Sequence, residues 1–251
     1  MTLISTLDKS QHKAARVAGF AFLFAIVIVV VANYGINFRL IVPGNAVDTA
    51  RNISAHETLF RLNIACNLVY VLNIGLLLAA LYVIFKPVNQ SLALVAAICR
   101  LVLALMWVIT ALNTLGALRL LGNAPYLPVF EGDQLQTLAR LQLASSYDAY
   151  YVGLPFWGLA STVSSYLWFK SRYVPRTLAV FGLVSSSWCV ICAFAFIVFP
   201  HYEATVSASW FDVPMVLFEL ALGLWLIFRG LRPSGLARPD VAGNQARADV
   251  A

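Results

Sequence analysis

Charge is what this chain has least of: Asp, Glu, Lys and Arg make up 11% of its 251 residues, while hydrophobic residues make up 61%. Soluble domains carry roughly 25% charged residues, so a globule bathed in water is excluded. Lysine is scarce, and Lys9, Lys13, Lys86 and Lys170 all lie outside the long apolar runs or at their ends. That removes a mid-membrane Schiff base. The three histidines, His12, His56 and His201, fall in polar connections rather than within helices, which removes bis-histidine haem. His56, Glu57, His201 and Glu203 show no ligand spacing, so no metal site is expected. Cys66, Cys99, Cys189 and Cys192 sit inside apolar runs, so they form no disulfide framework and read as reduced core residues. Cys189-Val-Ile-Cys192 is a C-x-x-C in mid-run, away from any helix N-terminus that would activate a thiol, and reads as packing. Ser161, Ser165 and the Ser185–Ser187 triplet have no histidine or lysine at their depth and read as helix contacts. There is no glycine-rich phosphate loop, and no cofactor is expected.

What the chain does have is length of apolar run, with a mean hydropathy of +0.82. Six segments are long enough to span a bilayer: about 15–36, 62–85, 91–118, 137–169, 175–199 and 213–229. The run at 20–32 has a basic flank but no small-residue cleavage site after it, so it reads as a retained helix. The fold expected is an all-α integral membrane bundle of six transmembrane helices in one domain, residues 1–230, followed by a disordered cytoplasmic tail, 231–251.

The side of each connection follows from Lys and Arg. Lys9, Lys13, Arg16, Lys86, Lys170, Arg172, Arg176, Arg229, Arg232, Arg238 and Arg247 lie on one side, eleven in all, against five on the other: Arg39, Arg51, Arg61, Arg119 and Arg140. Both termini are therefore expected in the cytoplasm of a bacterial cell, with the protein in its inner (plasma) membrane. The acids Asp48, Glu57, Glu131, Asp133, Glu203 and Asp212 fall on the outer side. Tyr166, Trp168 and Tyr173 mark an inner aromatic belt, and Tyr126, Tyr202 and Trp210 an outer one. In the first outer connection Pro43-Gly44 reads as a turn, and 52–61 as weakly helical. The fourth segment is too long for the bilayer, so 134–147 is expected to project outside, with a kink at Pro155.

Several stretches resemble a bacterial family of polytopic membrane proteins known as domain of unknown function 4386. They are 40–44 (LIVPG), 52–62 (NISAHETLFRL), 81–101 (LYVIFKPVNQSLALVAAICRL), 151–159 (YVGLPFWGL), 171–178 (SRYVPRTL) and 218–230 (FELALGLWLIFRG). The KPVN at 86–89 and the RYVP at 172–175 are the most specific, being polar text rather than generic apolar text. The resemblance implies a six-span fold and brings no activity and no catalytic residues.

Ionisable residues inside a bilayer cost about 2.5 to 3.5 kcal/mol each on insertion scales, so each needs a reason. Arg100 and Glu219 are placed at the same depth on oppositely directed helices and read as an intramembrane ion pair, structural or functional. Nearer the outer boundary Asn63, Asn67, Asn113, Tyr147, Asp148, Tyr150 and Tyr151 form a polar cluster, readable as interhelical glue or as a pocket. Basic residues scattered along the inner edges suit membrane lipids, not nucleic acid. Three functions stay open: a binder of a lipid-like or small amphipathic molecule or of a partner helix, a small secondary transporter using Arg100 and Glu219, and an enzyme working near Asp148.

Overall fold

The computed structural model describes residues 8–122, 125, 127–199 and 209–233, and these are helical with no strand. Tyr126, His201, Tyr202, Glu203 and the tail from 234 onward lie outside the described residues. The first helix, α1 (Lys9–Val30), opens where the Asp8 backbone N–H donates to Gln11 Oε1 at 3.1 Å. A π-helical stretch, Val31–Asn37, and the short α2 (Phe38–Leu40) continue it into one 32-residue rod. Then come α3 (Ala46–Ala55), α4 (Glu57–Phe85), α5 (Gln90–Leu120), a 3-10 turn (Leu127–Val129), α6 (Gly132–Ser171), α7 (Arg176–Val198) and α8 (Ser209–Phe228).

Four of these stretches are long and apolar enough to cross a membrane: Lys9–Leu40, Glu57–Phe85, Gln90–Leu120 and Arg176–Val198. The two other segments expected to span fall on α6 and α8. Most helices outrun the apolar segments because their polar ends are capped. Asn45 accepts the Asp48 backbone N–H at 2.9 Å at the start of α3, and Asn89 of the KPVN stretch accepts that of Leu92 at 3.0 Å at the start of α5. The helical stretch of the first connection accordingly begins at Ala46, six residues earlier than expected, and breaks at His56.

The long helices pack in a closed ring. Each lies against its neighbours in sequence, α1 on α4, α4 on α5, α5 on α6, α6 on α7 and α7 on α8, and α8 returns to α1. Small residues let the backbones approach at the closing seam: a Cβ on Gly19 would stand 2.8 Å from the Gly223 carbonyl oxygen and 2.9 Å from Ile227 Cγ1. Between α6 and α7 a Cβ on Gly158 would reach within 3.1 Å of the Ser186 carbonyl oxygen, and the Thr162 and Ser186 hydroxyls lie 2.9 Å apart. Leucine, valine and isoleucine cover the outer faces, as Leu72, Leu112, Val184 and Ile191 do.

At one end α6, 40 residues or about 60 Å long, outruns the roughly 30 Å apolar slab, and its first part packs on α3. Ile36, Leu40, Ile53, Phe60, Ala117, Leu118, Ala139 and Leu143 form the buried core of this cap. Pro155 lies inside α6, which runs unbroken through it. At the opposite, terminal end the chain turns back after α8: Leu231 is buried and the Arg232 N–H donates to the Tyr173 carbonyl at 2.9 Å. The first residues of the expected tail thus pack beneath the 172–175 turn.

Candidate functional site: the polar interior of the helix ring

The inward faces are more polar than the outward ones. On α4 the residues Asn63, Asn67, Tyr70 and Asn73, three or four apart, are all buried, while Leu62, Leu68, Leu72 and Leu76 are exposed. Asn73 Nδ2 donates to the Ala21 carbonyl of α1 at 2.9 Å, which locks α4 to α1. Asn63 Nδ2 donates to Asn37 Oδ1 at 2.8 Å, and Asn37 Nδ2 donates to Asn33 Oδ1 at 3.1 Å, so an asparagine chain runs from α4 into the π-helical stretch.

Three helices bring polar or aromatic residues inward in pairs seven apart: Arg100 and Trp107 on α5, Tyr150 and Trp157 on α6, Asp212 and Glu219 on α8. Seven residues are two helical turns, about 10 Å, so each pair supplies one residue to each of two layers. In the layer nearer the cap, Trp107 packs on Tyr70 at 4.5 Å between ring centroids and on Tyr150 at 6.1 Å. The Tyr150 hydroxyl reaches the Asp212 carboxylate at 3.2 and 3.4 Å. In the second layer Trp157 Nε1 donates to Glu219 Oε1 at 2.9 Å. Both bonds join residues 62 apart, so α6 and α8 run parallel, as two helices separated by one antiparallel neighbour must.

Arg100 occupies the second layer at 1% exposure, with its Cζ 5.6 Å from the centre of the Phe22 ring. Its Nε and Nη1 have no hydrogen-bond partner. Glu219, at 7% exposure, is close enough for each charge to act on the other, yet no nitrogen–oxygen contact within 4.0 Å joins them. Glu219 has its donor in Trp157, and among the described residues two nitrogens of the guanidinium are left without an acceptor. Burying such donors unpaired costs several kcal/mol, as an order of magnitude.

The outer cluster divides. Asn63 and Asn67 are buried, Asn113, Tyr150 and Tyr151 are half-buried, and Tyr147 and Asp148 are exposed. The carboxylate that Tyr150 meets is Asp212, not its near neighbour in sequence Asp148. Tyr151 lies against Tyr150 at 5.6 Å and Phe196 at 5.8 Å. Sequence reasoning missed Asp212, Trp157 and Trp107 as members of the interior group; the seven-residue repeat of paired polar and aromatic residues on three helices is the signal that carries them. Cys189 and Cys192 are fully buried between α6 and α8 beside Leu154 and Met215. Among the described residues no group of three or more His, Cys, Asp or Glu side chains is placed to hold a metal ion.

Comparison with curated proteins found no match, and comparison with solved structures found none. A family model does match, over residues 17–230, which takes in the helix ring from the middle of α1 onward and both layers of its interior. The chain belongs to the family described as domain of unknown function DUF4386.

Proposed function

We propose that this is a six-span protein of the bacterial plasma membrane, with both termini cytoplasmic, whose helix ring binds a lipid-like or small amphipathic molecule through an anionic group on Arg100. The observation that carries the reading is a buried guanidinium whose Nε and Nη1 are unpartnered among the described residues. A charge so placed destabilises the empty fold, and an oxyanion would supply the charge-assisted hydrogen bonds that the chain itself does not give this guanidinium. The aromatic side chains of Tyr70, Trp107, Tyr150 and Trp157 provide apolar walls with polar tips, as sites for amphipathic ligands do.

Native mass spectrometry of gently extracted protein tests it: an anionic amphiphile bound to the wild type and missing from Arg100→Met is the expected result. Protein that carries no adduct and takes up no added anionic amphiphile overturns the reading. The six-span topology rests on the charge asymmetry and on the parallel run of α6 and α8. Reporter fusions after Lys86, within 119–133 and at the tail should read inside, outside, inside, and any other order refutes it.

A transporter is the second reading, favoured by two carboxylates two turns apart on one face of α8, each held by a donor of α6. Flux of the co-purifying molecule into proteoliposomes separates it from a binder. The enzyme reading at Asp148 has no such support, since that residue is exposed and the carboxylate that Tyr150 meets is Asp212.

A further inference from the structure

We infer that anion binding at Arg100 is coupled to a proton taken up by Glu219, so that the site accepts an amphipathic anion and a proton together. The inference rests on the binding reading above. Its basis is charge balance in a closed interior. Arg100 and Glu219 are both buried in the second layer, on helices that are not neighbours in the ring, and they feel each other's charge without touching. With the site empty, the guanidinium and the carboxylate sum to zero. An oxyanion brought onto the Arg100 guanidinium adds a negative charge beside Glu219, and two like charges sharing a low-dielectric site cannot both persist. The carboxylate takes a proton from solution, the ligand keeps its charge, and the interior returns to neutrality.

The surrounding groups leave Glu219 as the acceptor. Tyr70 on α4, Cys99 on α5, Cys189 on α7 and Asp212 on α8 are the other titratable groups that act on this layer, and Tyr150 of α6 stands in the layer above. Phenols and thiols are neutral near pH 7 and have no place for a further proton. Phe22 of α1 brings a ring without charge. Asp212 stands two turns away along α8, about 10 Å, and is engaged by Tyr150. Glu219 also has a bonding arrangement suited to either state: Trp157 Nε1 donates to Oε1, and a protonated carboxyl still accepts there while its other oxygen carries the hydrogen.

Decanesulfonate is the probe, because its charge does not titrate and it has no carbonyl of its own. Titration calorimetry of the purified full chain, in two buffers of different ionisation enthalpy near pH 7, should show uptake of about one proton per ligand, with affinity falling about tenfold per pH unit above neutrality. Infrared difference spectra of the wild type on binding should gain a protonated carboxylic C=O band. In Glu219→Gln the uptake, the band and the pH dependence should all vanish while binding remains. Phosphatidylglycerol in nanodiscs, free decanesulfonate and methanesulfonate then distinguish a lipid headgroup, a free amphiphile and a bare anion as the source of the oxyanion. Wild-type binding with no proton uptake and no new band overturns the coupling and leaves the anion site standing. Uptake that persists in Glu219→Gln overturns the assignment to Glu219, and failure of all three anions to bind overturns the site itself.

Discussion

The cap over one end of the ring and the interior beneath it handle charge in opposite ways. In the cap, two ion pairs lie on single helices and in the open: Arg51 Nη2 meets Asp48 Oδ1 at 2.5 Å, and Arg61 Nη2 meets Glu57 Oε1 at 2.6 Å, three and four residues apart. Beneath those pairs lies an apolar cluster, with Thr49 buried on α3 and Nη1 of the half-buried Arg140 on α6 unpartnered among the described residues. Inside the ring, Arg100 and Glu219 are buried, come from different helices and do not touch. Exposed neighbours on one helix are worth about 0.3 to 0.5 kcal/mol and place little constraint on the fold. A buried unpaired arginine costs more than that and stabilises nothing in return. The difference teaches where selection for something other than stability has acted: the cap is arranged to fold, and the interior to hold a group that the chain does not itself supply.

The largest effect should therefore come from Arg100. Replacing it with Met keeps a long flexible side chain over Phe22 and removes the stranded charge. Binding of anionic amphiphiles should weaken by at least about 100-fold, in line with losing a buried charge-assisted contact of about 3 kcal/mol. Melting temperature should hold or rise when Arg100→Met is combined with Glu219→Gln, because replacing both buried charges together is often neutral or stabilising. A double variant that melts well below the wild type would show that Arg100 is satisfied within the fold, and the contrast with the cap would fall.

The ring closure comes next. A side chain at Gly19 has nowhere to go between the Gly223 carbonyl and Ile227. Gly19→Val should cost about 3 kcal/mol through overpacking and reduce the yield of folded protein in detergent. A similar change at Gly75, whose Cβ would meet nothing within 4 Å, should be well tolerated and serves as the control.

Trp157→Phe keeps the aromatic ring and deletes the one donor to Glu219, leaving a buried carboxylate that has lost its hydrogen bond. The expected loss is about 2 kcal/mol, the scale of a hydrogen bond to a charged group, measured by thermal unfolding in the absence of ligand. Tyr150→Phe, by contrast, removes the hydroxyl from the half-buried Asp212 and should cost less. Equal effects at both positions would mean that the two layers share one environment.

How much of this is legible in the sequence depends on what each residue has to do. Apolar runs report on lipid contact directly, so the helices of the ring could be placed without a structure. Helix ends could not, because capped amphipathic ends look like loops: α3 begins behind Asn45, in a stretch that hydropathy alone assigns to a connection. Arg100 and Glu219 stand out because a lone charge in apolar text has no cheap explanation. Their surroundings do not. Trp157 sits in LPFWGL and reads as membrane-facing bulk, although its Nε1 is the donor to Glu219. Asp212 reads as an outer-loop acid because it stands at the edge of an apolar run, although Tyr150 engages it from another helix. Pairing across helices is a property of register, and register emerges only when three seven-residue pairs are compared at once.

The smallest effect is expected at the cap's own ion pair, and it sharpens the comparison from the other side. Arg61 and Glu57 face each other one turn apart on α4, with side chains 60% and 53% exposed. Water screens both charges and the long arginine side chain loses freedom to hold the contact, so the two contributions nearly cancel. A double-mutant cycle of Arg61→Gln and Glu57→Gln should give a coupling of about 0.5 kcal/mol or less, and that coupling should fade as salt is raised. The corresponding cycle of Arg100→Leu and Glu219→Leu in the interior should keep its coupling at high salt, since salt screens buried charges far less than exposed ones. A cap coupling above about 1 kcal/mol that survives salt would place its charges in the same regime as the interior ones. The division between a region arranged for folding and a region arranged for binding would then have to be drawn elsewhere in the molecule.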